Sequence, residues 1–264
     1  MTEYPTGKRK KREWKEYAAF VILLAVAGLS FALLHRQPQP APVPDGGGEV
    51  GAGMKEDALV RLPVIVLDPG HGGEDGGAVA PDGTQEKTLN LALSLSLKDL
   101  FEAEGYRVVM TRTEDEMPQT PGLDATKKRS DLSARVRTAK EETSPLFLSI
   151  HMNKFPQSRY FGLQVYYSPR SAYSFSLASA IQKTAGKGLA PENDREVKNG
   201  AGLFLLDRLD CPAVIVECGF LSNPRELELL KTEEYRQTLA AAIFEAVDRF
   251  TAESGYGASA QEKA

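Results

Sequence analysis

From about residue 63 onward, short runs of β-branched and aliphatic residues alternate with stretches where apolar residues recur every three or four positions. That is the pattern of strands alternating with helices. Six runs read as strands: residues 64–68 (VIVLD), 107–111 (RVVMT), 146–150 (LFLSI), 163–167 (LQVYY), 203–206 (LFLL) and 213–217 (AVIVE). Several are apolar on both faces, as strands covered from both sides are. A helix is predicted after the first strand, with Thr84 as its N-cap, Leu89, Leu93, Leu97 and Leu100 on one stripe, and Gly105 as its stop. Further helices are predicted over 131–142, 173–184 and 233–250. In the last, Leu239, Ile243, Ala246 and Phe250 share a core-facing stripe, and Glu233 and Glu234 complement the positive end of the helix dipole. The stretch 113–129, with two prolines and mixed charge, reads as a surface loop without a function. The expected fold class is α/β: a single domain over residues 63–250, with a mixed, mostly parallel open sheet flanked by helices on both faces.

The pattern before residue 63 is different. Residues 1–16 are basic, and residues 17–34 (YAAFVILLAVAGLSFALL) carry no charge. As a helix these eighteen residues reach about 27 Å, close to the hydrocarbon thickness of a bilayer. The basic cluster before them and the aromatic Trp14 and Tyr17 at the boundary orient the chain with its N-terminus inside and the remainder outside. The segment is therefore read as a transmembrane anchor that meets membrane lipid. A cleaved signal peptide is the rival reading, but its apolar region is shorter, about 7 to 15 residues. Residues 35–62 are a linker: Pro38, Pro40, Pro42 and Pro44 favour extended polyproline II, and Gly46, Gly47 and Gly48 make a flexible joint. Residues 251–264 are expected to be a disordered tail.

Composition changes the picture in three respects. Apolar residues at 42% and charged residues at 26% of 264 are the balance of a folded chain. Two cysteines cannot build a disulfide scaffold. Removing the seven basic and three acidic side chains of residues 1–36 from the totals of 32 and 36 leaves a formal charge of −8 over residues 37–264, so no nucleic-acid partner is expected. Cys211 and Cys218 flank the last predicted strand too far apart to bridge, and strand alternation turns Cys218 away from the face of Glu217.

The candidate chemistry lies at strand ends. The two histidines after residue 62, His71 and His151, each follow directly on a predicted strand, and Glu217 closes a third apolar strand. In open α/β sheets that edge is where ligands bind. Two imidazoles and converging carboxylates match the His2Glu set of a catalytic zinc site, with a second carboxylate as base. Glu86 or Asp75 would complete the ligands, and Glu86 is preferred because a helix start holds it more rigidly than the glycine-rich loop holds Asp75. That loop, Gly70 to Gly77, fits no dinucleotide or phosphate-loop pattern.

VIVLDPGHGGEDGGA, TQEKTLNLALSLSLKDLFEAEGYRVVMTR, LFLSIHMN and AVIVECGFLSNPRELELL resemble, in that order, the motifs of the zinc-dependent N-acetylmuramoyl-L-alanine amidases of the amidase-3 family. The look is nearest to the membrane-anchored spore-cortex and germination type. The resemblance implies Zn2+ held by His71, Glu86 and His151, with Glu217 as general base. It implies hydrolysis of the amide between the lactyl group of N-acetylmuramic acid and L-alanine in peptidoglycan, in spore cortex maturation. Asp68 is expected to orient a ligand or shape the strand-end turn, Asn153 to hold its loop or touch substrate, and Arg112 and Arg135 to form structural ion pairs. An activating protein partner is left open. The rival functions are a zinc metallopeptidase cutting peptide cross-links and a wall-binding protein without catalysis.

Overall fold

The computed structural model describes residues 62–120 and 126–257. The predicted basic segment and anchor, residues 35–61 of the linker, and residues 258–264 of the tail lie outside the described residues. Among those described, no helix is long and apolar enough to cross a membrane.

Six strands make one sheet: β1 (Val64–Pro69), β2 (Val108–Met110), β3 (Pro145–Asn153), β4 (Gln164–Tyr167), β5 (Lys198–Asn199) and β6 (Ala213–Phe220), in the order β2-β1-β3-β6-β4-β5. The strands from β2 to β6 run parallel, β4 is antiparallel to β6, and β5 is parallel to β4. The expected mixed, mostly parallel sheet is therefore present. Its two faces are covered unequally. Ile65, Leu67, Leu148, Ile150, Val214 and Val216 face a large core closed by α1 (Glu86–Ala103), α3 (Ala172–Ile181), α4 (Pro224–Lys231) and α5 (Glu233–Ser254). Val66, Phe147 and Ala213 face a smaller one closed by α2 (Lys127–Lys140) and the turn carrying Leu205, Leu206 and Leu209. Cys218 is buried in the large core, on the face away from Glu217, and both cysteines are free.

Several elements differ from the sequence reading. The run 203–206 is a turn, not a strand. Gly202 adopts φ 90° and its N–H donates to the Asp207 carboxylate, while Asp207 N–H reaches the Leu203 carbonyl, so the apolar side chains enter the small core from a coil. The edge strand is instead β5. Thr84 does not cap α1: the cap position is Gln85, without a side-chain bond, and the first-turn N–H groups of Glu86 and Lys87 donate to the carbonyls of Ala78 and Gly76. The loop itself thereby closes the helix end. The α4 helix was not predicted, although Asn223 caps it by accepting from the N–H groups of Arg225 and Glu226, and Pro224 opens it. The tail is also shorter than expected, because α5 continues to Ser254.

Candidate metal centre

The sheet brings three strand ends together, since β1, β3 and β6 are adjacent and parallel. His71 follows β1 by two residues. His151 lies within β3 rather than after it, because the ladder continues to Asn153, and it is the register partner of Glu217 on β6. Partners in register point to the same face, so sheet pairing alone sets an imidazole beside a carboxylate. The start of α1 supplies Glu86 from the side. Its Oε1 lies 2.9 Å from His151 Nδ1 and its Oε2 3.3 Å from His71 Nε2. One donor atom from each of His71, Glu86 and His151 lies within 4.8 Å of the others. Zinc bonds of about 2.0–2.2 Å at a tetrahedral centre need ligand atoms roughly 3.4 Å apart, so this nitrogen and oxygen set fits a divalent ion with little movement.

Charges in the cluster are mutually biased. Burial would raise the Glu86 carboxyl, but hydrogen bonds and charge from His151 and His71 outweigh it, leaving it well below the usual range. Burial likewise opposes the charged form of His71, and Glu86 with Asp75 outweighs that, raising it. Glu217 is pushed up, chiefly by burial and further by Glu86, with His151 and His71 pulling the other way. Its Oε2 is buried and has no hydrogen-bond partner among the described residues.

Asp75, the rejected ligand, has a different place: its Oδ2 lies 2.9 Å from His71 Nδ1, on the side of the ring away from Glu86. This is how a carboxylate fixes the tautomer of a metal-binding histidine. Asp68, expected to orient a ligand or shape the strand-end turn, bonds none of His71, Glu86 and His151 among the described residues. Its oxygens accept from Arg135 Nη1, Thr111 Oγ1 and Ser149 Oγ, each at 2.6 Å, and Arg135 in turn holds the His71 loop. Asn153 ends β3, where its carbonyl accepts from Leu221 N–H at 2.8 Å.

What holds the His71 loop lies in segments distant from it in the chain. His71 sits at φ 63°, a left-handed conformation that costs a non-glycine residue about 1–3 kcal/mol unless its surroundings impose it. Arg135 Nη2 donates to the His71 carbonyl at 2.7 Å and Nη1 to that of Pro69 at 2.9 Å. Arg112 Nε donates to the Pro69 carbonyl, and its Nη2 to those of Gly70 and Lys87. Arg135 forms the expected ion pairs, with Asp68 and Asp131, whereas the hydrogen bonds of Arg112 all go to carbonyl oxygens. Asn90, one helical turn after Glu86, donates to the Gly70 carbonyl at 3.0 Å and to Glu86 Oε1 at 3.4 Å. That spacing of four on a helix was the available signal. The loop read as functionless contributes too: Asp115 accepts from Gly73 N–H and Lys87 Nζ.

Taken with the geometry, the family profile decides the identity: that of the N-acetylmuramoyl-L-alanine amidases matches residues 65–249. The chain belongs to this family. Among its amidase relatives, the germination-specific N-acetylmuramoyl-L-alanine amidase of Bacillus subtilis (strain 168) is 30% identical over 250 residues, covering 94% of this chain and 98% of that one. The amidase AmiC of Neisseria meningitidis serogroup B is 30% identical over 72% of this chain and 53% of its own length. The CwlD amidase from Clostridioides difficile, solved in complex with the GerS lipoprotein, superposes with a TM-score of 0.68 at 36% identity, covering 73% of this chain and all of that one (100%). The catalytic domain of the amidase CwlV from Bacillus (Paenibacillus) polymyxa var. colistinus gives 0.61 at 27% identity, covering 72% and 99%.

In this amidase a close approach makes one glycine indispensable. A Cβ at Gly70 would lie 2.2–2.3 Å from Cε1 and Nε2 of His151. Gly70→Ala is expected to displace that ring and lower kcat/KM by about 10²-fold, the effect of a misplacement near 1 Å. Metal titration of the same variant should show weakened binding, and unchanged metal affinity and rate would refute the close approach.

Proposed function

We infer that the chain hydrolyses the amide joining the lactyl group of N-acetylmuramic acid to L-alanine, with His71, Glu86 and His151 holding Zn2+ and Glu217 as general base. The observation carrying this reading is that three donors of the right chemistry meet beside a buried, unpartnered carboxylate oxygen in a chain of this family. When bound, a zinc ion supplies Lewis acidity, making water acidic near neutral pH and polarising a carbonyl. The protein's own groups do the remainder. Asp75 accepting from His71 Nδ1 leaves Nε2 as the free lone pair. Glu217 Oε2 takes a proton from water and delivers it to the departing alanine nitrogen. Burial raises its proton affinity, which is the direction that favours a general base.

The near full-length likeness to a germination-specific amidase supports a role in spore-cortex peptidoglycan, where removing stem peptides allows muramic-δ-lactam to form. Residues 17–34 serve as a single anchor, with 1–16 inside and the catalytic domain tethered outside through 35–62; the charge and length of these segments support this. A relative solved with a lipoprotein supports a protein partner on the membrane side.

Digestion of purified peptidoglycan tests the reading. Peptides with free N-terminal alanine and intact glycan are expected, and a chelator should lower their release by about 10²-fold or more, the worth of several kcal/mol of electrostatic stabilisation. New termini within the cross-links would instead indicate a peptidase. Release indifferent to chelation would refute zinc, and no release at all would leave a wall-binding protein.

A further inference from the structure

The reversal of strand direction at β4 has a consequence for charge. Because β4 and β5 run opposite to β6, their first residues and the loops before them lie at the same sheet edge as Glu217. Gln164 opens β4 and is the register partner of Glu217. In the next row Ile215, Tyr166 and Lys198 are partners across β6, β4 and β5, so these side chains share the face of Glu217 and His151. Arg195 precedes β5. Its guanidinium carbon lies 4.8 Å from the centroid of the Phe220 ring and 5.9 Å from that of Tyr160, its Nε donates to the Phe161 carbonyl at 3.0 Å, and its Nη1 donates to Gln164 Oε1 at 3.3 Å. Lys198 Nζ lies 5.8 Å from the centroid of the Tyr166 ring.

Among the described residues neither cation has a carboxylate oxygen within 4.0 Å. Glu226, the acid that senses Arg195, has both oxygens accepting backbone N–H groups, from Gly162 and Phe220. Asp194 and Glu196, in the same loop, are exposed. The Tyr166 phenol is pushed up by burial and then by Glu217, and is pulled back by Arg195, so both charges act on one ring. A stacked, half-buried guanidinium bonded to the register partner of Glu217, in an otherwise acidic domain, is arranged to receive an anion.

We propose that Arg195, with Lys198, is a carboxylate subsite that binds the acidic peptide on the alanine side of the scissile amide, passing it over Tyr166. The proposal rests on the amidase reading above. Arg195 grips the carboxylate through its Nη2 donors, Nη1 being held by Gln164, and Lys198 adds charge from the rim. Occupation of this subsite fixes the peptide's direction across the sheet, with the glycan on the side of β1 and β3.

The test uses the zinc-loaded full chain and two peptidoglycan preparations, one with a free α-carboxylate on the stem residue after alanine and one with a carboxamide there. The wild type should favour the carboxylate form in kcat/KM by about tenfold or more, the worth of a hydrogen-bonded charge. That preference should collapse toward unity in Arg195→Met, persist in part in Arg195→Lys, and weaken in Lys198→Gln, with the difference in KM rather than kcat. A wild type that cleaves both preparations equally overturns the subsite while leaving the amidase reading intact. So does a preference that survives Arg195→Met and Lys198→Gln. If the wild type cleaves neither, the amidase reading fails and the subsite falls with it.

Discussion

Replacing Glu217 with glutamine is expected to lower amide hydrolysis by about 10²–10⁴-fold, the usual contribution of a general base. Glutamine has nearly the same shape and leaves His71, Glu86 and His151 in place, so metal stoichiometry should not change. What is lost is the capacity of one oxygen to take a proton, and Oε2 is buried without a partner among the described residues. A full loss of metal in the variant would reassign Glu217 as a ligand, and an unchanged rate would remove it from the mechanism.

The same substitution carries a prediction about stability. Burial raises the Glu217 carboxyl above its ordinary value of 4.5, so the folded protein binds that proton more tightly than the unfolded chain does. Wild-type stability therefore falls as pH rises from the unfolded value through the folded one, and the cost is fully present above that window. Metal-free Glu217→Gln should melt higher than metal-free wild type at neutral pH. The gap should close below about pH 4.5, where both side chains are neutral. A gap that widened on acidification would contradict this assignment.

Arg135→Met is expected to destabilise the fold by about 3–5 kcal/mol, the cost of leaving a buried charge without its partner. Arg135 is 2% exposed and Asp68 fully buried, and the guanidinium also serves Asp131 and the carbonyls of Pro69 and His71. The melting temperature should fall by about 10 °C for a domain of this size. Combining the change with Asp68→Asn should recover part of the loss, because the orphaned charge then disappears. Arg137, on the same helix but exposed and 3.6 Å from Glu141, is the control. Its replacement by alanine should cost no more than about 0.5 kcal/mol. A loss below about 1 kcal/mol for Arg135→Met would show that the cluster relaxes or hydrates instead.

Much of the candidate site is legible in the sequence. His71, Glu86, His151 and Glu217 stand out as candidates because a polar residue after an apolar strand run is conspicuous, and because a helix start is a rigid place for a carboxylate. The preference for Glu86 over Asp75 agrees with the geometry, and Asp75 takes the opposite nitrogen of the same ring. Less legible were the parts that depend on which strand lies next to which. The run 203–206 had the composition of a strand and became a turn because Gly202 and Asp207 close it locally. Asp68 pairs with Arg135, 67 residues away on α2, and no local pattern connects them.

Local chemistry is therefore what the sequence determined: the period of the apolar positions set the α/β class, the four ordered blocks marked the family, and the residue types limited the chemistry to an imidazole and carboxylate centre. Tertiary structure alone decided three things. It decided that His151 and Glu217 are register partners, that two buried arginines hold His71 in a left-handed turn, and that the antiparallel β4 carries Arg195 and Lys198 to the same edge. Each rests on a contact between segments distant in the chain. Such contacts follow from strand order and packing, which local periodicity does not encode.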